Sequence, residues 1–166
     1  MIHLGKDVKL NVCPILVTLH HDYVFEGPCR MGKDFELTKE FDDMANAELI
    51  KGAHEELAEN LTSPHFNVME PIWIDRNEEF LVTPEILDKM LQGKDDVDIY
   101  MIGPMGRLSA LVIDFVQKAK KPIITIPGPQ CMQTILIAST RARGLESYAY
   151  RTWKETLDFL EVLRVK

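Results

Sequence analysis

Thirteen consecutive residues, TLHHDYVFEGPCR from Thr18 to Arg30, bring together two histidines, two carboxylates, a tyrosine, a thiol and an arginine. Such side chains serve metal ligation, proton transfer and nucleophilic attack. Their spacing narrows the options. His20 and His21 are adjacent, so on an extended chain they point to opposite sides and do not readily share one ion. A His ligand with Asp22 and Glu26 is chemically conceivable, but neither H-E-x-x-H nor H-x-x-x-H occurs. Polar surface loop is the plainer reading, and no metal site is expected in this chain. Cys29 has a cation beside it, Arg30, which lowers a thiol's pKa, but no base is fixed next to it by the sequence, and packing is the commoner use of a lone cysteine. No catalytic residue can be assigned.

A second chemical signal is Gly103-Pro104-Met105-Gly106-Arg107. Its glycines flank a tight turn at the start of a helical pattern, so the backbone N–H groups could receive an anionic or hydroxyl-rich ligand; the plain alternative is that they only let the chain turn. Neither G-x-G-x-x-G nor G-x-x-x-x-G-K-[ST] is present, which speaks against a dinucleotide fingerprint and a P-loop. Arg30 and Arg107 can hold carboxylate, phosphate or sugar oxygens in a defined geometry, or can be solvated surface charges. Trp73 and Trp153 flank strand ends, where an aromatic face suits either a sugar or the core.

The elements that must position these residues follow from periodicity. VKLNVCPILVTL is a buried strand that tolerates Pro14 if the ladder is locally unpaired there. From Phe35 to Leu61, Phe41, Met44, Ala45, Leu49, Ala53 and Leu57 recur at helical spacing until Thr62-Ser63-Pro64 stops them. FNVMEPIWI is a second strand. In EEFLVTPEILDKMLQG a short helix has Thr83 as N-cap, Pro84 at its first position and Gly93 beyond its end. Then come strand VDIYMIG, helix LSALVIDFVQKAKK with lysines in its last turn, strand PIITIPG, helix QCMQTILIASTRAR closed by Gly144, strand SYAYR and helix WKETLDFLEVLRVK.

Strict alternation of this kind predicts an α/β fold: a three-layer, doubly wound, mostly parallel five-stranded sheet covered on both faces. The first, third and fourth strands are the most apolar, which places them centrally in the flavodoxin-like or Rossmann-like order 2-1-3-4-5. Ligands then bind outside the carboxyl ends of the strands, at the switch point between strands one and three. That nominates residues 20–32, 103–107, 127–130 and 151–153.

Composition sets outer limits. The 166 residues, 46% of them hydrophobic, suffice for a single domain over 1–166. A net charge of −7 argues against nucleic acid as a partner. Three scattered cysteines suggest no disulfide framework and fit a cytoplasmic setting; no signal sequence or membrane span is legible. The last helix reaches Val165-Lys166 still apolar every three or four residues, which raises the expectation that this is the N-terminal part of a longer protein.

The segment DDVDIYMIGPMGRLSALVIDFVQKAKKPIITIPGPQ with CMQTILIASTRARGLESYAYR resembles the N-terminal domain of L-fucose and L-arabinose isomerase-like proteins, with a strand, a small-residue turn, a helix, a KP strand and an A…A…R helix in order. The likeness covers the last part of the chain, about 75 residues. It implies a Rossmann-like domain around which a homo-oligomer assembles and which helps to close a sugar site. It implies also that catalytic Mn²⁺ sits on ligands in following domains, so this chain has no cofactor of its own. On that implication His20, Asp22, Arg30, Arg107 and Gln130 face the sugar, alongside the Gly103 and Gly106 turn, and no catalytic role carries over to the first loop. The full-length reaction would be aldose–ketose interconversion through an enediol. Two other readings stay open: a self-contained flavodoxin-like module for a small ligand, and an assembly domain without one.

Overall fold

The computed structural model describes residues 9–17, 35–74, 84–103, 109–128 and 130–165; within these, the side chains of residues 17, 35–46, 74, 86, 109–113, 130–132, 135 and 165 stand outside the description. The strands are β1 (Leu10–Val17), β2 (Phe66–Val68), β3 (Ile72–Ile74), β4 (Ile99–Ile102), β5 (Ile123–Thr125) and β6 (Ser147–Tyr148). The helices are α1 (Phe35–Asn60), α2 (Pro84–Leu91), α3 (Ser109–Ala119), α4 (Gln130–Ala142) and α5 (Trp153–Val165).

All pairings are parallel, in the spatial order β2-β1-β4-β5-β6, with β3 also against β1. The doubly wound α/β architecture expected from the alternation is therefore present, and the apolar strands β1, β4 and β5 are its centre. Side chains leave the sheet alternately to both sides. Leu10, Val12, Ile99, Met101 and Ile124 meet Leu57 of α1, Leu61 just beyond its end, and Leu160 and Leu163 of α5. Cys13, Ile15, Tyr100, Ile102 and Ile123 meet Leu87 and Met90 of α2, Phe115 and Val116 of α3, and Leu136 of α4. Tyr100 and Phe115 pack edge to face with centroids 4.9 Å apart. Burial on both faces is why these strands read as continuous apolar runs.

One element differs from the sequence expectation. FNVMEPIWI is two short strands, so among the described residues the sheet has six strands rather than five. Val68 aligns with Val12 and Ile72 with Ile15, so the edge strand carries one residue more than the stretch of β1 it faces. This is a bulge, and prolines explain its place. Pro71 has no N–H to give to the ladder. Opposite it, Pro14 lacks one too: the Val12 carbonyl accepts from Met69 N on this side, while the Ile15 carbonyl accepts from Gly103 N on the other, so the alternating ladder turns Pro14 toward the break. The displaced Glu70 carbonyl is met by Lys94 Nζ at 2.9 Å and the Cys13 thiol at 3.7 Å.

Helix ends are settled by local chemistry. Gly93 and Gly144 both take positive φ, +70° and +73°, as expected just past α2 and α4. Past α3 the same left-handed position is filled by Lys120, φ 54°, which costs a non-glycine residue about 1 kcal/mol. At the start of α5, the Glu155 carboxylate accepts from the Thr152 N–H at 3.1 Å while the Thr152 hydroxyl accepts from the Glu155 N–H at 3.2 Å, a closed capping box.

The last helix is also tied to the turn after α1. Glu161 accepts from Ser63 Oγ at 2.6 Å and Arg164 Nε at 3.3 Å, and lies 3.0 Å from His65 Nδ1. Burial opposes ionisation of Glu161, yet the hydrogen bonds from Ser63, His65 and Arg164 outweigh it and hold its pKa below the ordinary glutamate value. Among the described residues no helix is long and apolar enough to cross a membrane.

Candidate functional site

The chain runs from β1 outward to β2 and β3 on one side, then back across to β4 on the other, so the direction of winding reverses between β1 and β4. A crevice must open there, because the connections on either side of the reversal leave over opposite faces. A cavity of about 240 Å³ lies at that place. Its floor is made at the carboxyl ends of three adjacent strands by Leu16, Gly103 and Ile126. Leu49, Ala53, Glu56 and Leu57 of α1 form the wall above.

Gly103 is buried, and the closeness of the floor residues depends on it. A Cβ built there would stand 3.2 Å from Leu16 Cδ2, 3.5 Å from the Ile15 carbonyl and 3.9 Å from Ile126 Cδ1. Its N–H donates to the Ile15 carbonyl at 3.0 Å, so the first residue beyond β4 is still held to β1. What the glycine contributes here is space; its φ lies outside the left-handed region.

Among the described residues the single charged group in the lining is Glu56. One carboxylate oxygen, Oε1, accepts from the Trp153 indole N–H at 3.1 Å, and the other has no partner among the described residues. Trp153 is itself the first residue of α5, positioned by the Thr152–Glu155 capping box and half-buried against the α1/α5 core. Trp73 is likewise half-buried in that core, and its ring centroid lies 5.9 Å from that of His54. Both tryptophans thus pack, and Trp153 also fixes a carboxylate at the mouth of the cavity.

Of the residues nominated from sequence, Gly103 lines this cavity. His20, Asp22 and Arg30 lie outside the described residues, as do His21, Glu26 and Cys29, and so do Gly106 and Arg107. Gln130 opens α4, its side chain outside the description. Sequence reasoning missed Glu56. The signal was available: Leu49, Ala53 and Leu57 form the apolar stripe of α1, and Glu56, seven residues after Leu49, falls on that stripe where an apolar residue is expected.

Chemically, apolar walls with one fixed carboxylate make a binding cavity: the walls take C–H surface and the carboxylate accepts from hydroxyl or amino groups. Among the described residues no three His, Cys, Asp or Glu side chains converge in a way that could hold a metal ion. Cys13, the one cysteine whose side chain is described, is buried in the sheet and its thiol pKa is raised, chiefly by burial, which makes it a packing residue rather than a nucleophile. No protein-family model matches the chain, and neither a curated protein nor a solved structure matches it.

Proposed function

We propose that this chain is the substrate-binding and assembly domain of a sugar isomerase-like protein of the kind its second half resembles. The observation that carries the reading is the cavity at the β1/β4 switch point. It is small, its described lining is apolar apart from Glu56, and one carboxylate oxygen of Glu56 has no partner among the described residues. A monosaccharide offers matching chemistry, a C–H face for Leu16 and Ile126 and hydroxyl donors for Glu56. On this reading His20, Asp22, Arg30, Gly106, Arg107 and Gln130 are the remaining sugar contacts, the domain forms homo-oligomers, and Mn²⁺ belongs to other domains of the full-length protein. No step through a metal is assigned to the described residues.

The test is ligand-observed NMR across a panel of aldoses, repeated with Gly103→Leu, which fills the cavity floor, and with Glu56→Gln, which removes the charge at its mouth. Binding by the unaltered chain, abolished by the first change and weakened about tenfold by the second, supports the proposal. Undiminished binding in both variants refutes the assignment of the cavity. Saturable binding of non-sugar polar molecules with no aldose signal would favour a self-contained ligand-binding module instead.

A further inference from the structure

A second concavity, of about 390 Å³, opens beyond β5, between α4 and the segment leading from β6 into α5. Arg141, in the last turn of α4, and Arg151, just after β6, both line it, with Gln133 and Tyr150. Among the described residues no Asp or Glu is in its lining, although the chain carries a net charge of −7.

The two guanidinium groups are prepared in different ways. Arg141 donates through Nε at 3.3 Å and Nη2 at 3.0 Å to the Ser147 carbonyl, so one edge of its plane is fastened to β6 while Nη1 remains available. Arg151 is fixed by its main chain, whose N–H donates to Glu155 Oε2 at 3.0 Å, and its guanidinium has no carboxylate partner among the described residues. Glu155, the acid that could have neutralised it, is turned to the helix start, where the Thr152 N–H and hydroxyl also donate to Oε2. Gln133 is buried, and its Nε2 donates to the Ile126 carbonyl at 2.8 Å, which pins the wall of the concavity to the end of β5.

Two arginines brought to one concavity with no Asp or Glu in its described lining, the nearby Glu155 carboxylate being taken up by the start of α5, are an unusual use of arginine on a chain of net negative charge, where ion pairs are easily found. We propose that this crevice binds the phosphoryl group of a small metabolite, with Arg141 and Arg151 as its two cationic contacts. A phosphoryl dianion matches both charges, whereas a single carboxylate matches one, and the guanidinium fork pairs with two oxygens at once. Tyr150 lines the same wall, its ring packed on Phe159 with centroids 5.1 Å apart. The site is separate from the β1/β4 cavity and stands or falls independently of the sugar reading.

Inorganic phosphate titrated into the 166-residue chain at constant ionic strength, followed by amide chemical shifts, tests this. The expected result is a saturable shift at Gln133, Ile137, Tyr150 and Arg151, with weaker binding of acetate. Arg151→Gln and Arg141→Gln should each weaken phosphate at least about tenfold, whereas Lys154→Gln, one turn away and paired with Asp158, should leave it unchanged. Because Arg141 also holds the Ser147 carbonyl, Arg151→Gln is the deciding variant: it keeps the backbone bond to Glu155 and alters only the free guanidinium. Undiminished phosphate affinity in that variant, shifts scattered away from the crevice, or acetate binding as tightly as phosphate would overturn the proposal.

Discussion

Replacing Glu161 by Gln removes the charge at the junction of α5 with the turn after α1 and should destabilise the fold without touching either concavity. The carboxylate is hydrogen-bonded by Ser63 and Arg164 and faces His65, and the Arg164 side chain is only 8% exposed. Hydrogen bonds to a charged group contribute about 1.5–3 kcal/mol each when buried. Glu161 itself is 35% exposed, so water screens it, and Gln retains one acceptor oxygen; about 1.5 kcal/mol for the whole cluster is the fitting figure. For a chain of this size that is roughly 3–6 °C in Tm. The pH dependence gives a sharper test. The folded-state pKa of Glu161 is lowered, so its contribution is fully present above the ordinary value of 4.5 and is lost as pH falls through the lower folded value. Urea unfolding of both proteins should therefore give a constant difference at neutral pH that closes in acid below that ordinary value. A difference under about 0.5 kcal/mol at neutral pH, or one that persists undiminished in acid, would refute this account of the junction.

Lys120→Gly should raise stability by roughly 0.5 kcal/mol, because the φ of 54° is strained for lysine and free for glycine, partly offset by the greater unfolded-state freedom of glycine; denaturant midpoints decide it. Thr152→Ala opens the capping box at α5 and should cost about 1 kcal/mol in the same measurement. The same change should loosen Trp153 and hence Glu56, read as faster hydrogen exchange of the Trp153 indole N–H. Ile102→Ala, at a fully buried site in the middle of the sheet, should cost about 2–5 kcal/mol, and a loss below about 1 kcal/mol would show that the α2/α3 face repacks freely.

Much of this architecture is legible in the residues. The run LNVCPILV is apolar on both alternating faces, which fits only a strand covered on both sides, and it lies at the centre of the sheet. The helix from Phe35 ends at Asn60, one residue before Leu61, because Thr62-Ser63-Pro64 cannot continue it. The bulge in FNVMEPIWI was harder to read. Pro71 alone would demote a strand, but the break is decided by Pro14 facing it across the ladder, from far away in sequence.

The candidate site divides along the same line. Gly103 was legible because a glycine after an apolar strand and before a helix marks a ligand-side turn. Glu56 stands on the apolar stripe of α1, which marks it as out of place on that face, but the packing of α1 over the ends of β1, β4 and β5 is what makes it part of a cavity wall. Arg151 falls in the loop 151–153 that the sequence nominates, whereas Arg141, inside a helical pattern, is not singled out there; the parallel register of β5 and β6 brings their elements to one crevice. Local pattern thus determined which segments are strands and helices and which faces they bury, because periodicity and caps act within a few residues. Which side chains meet at a cavity was decided by the tertiary structure alone, because strand order and register join residues that no local rule connects.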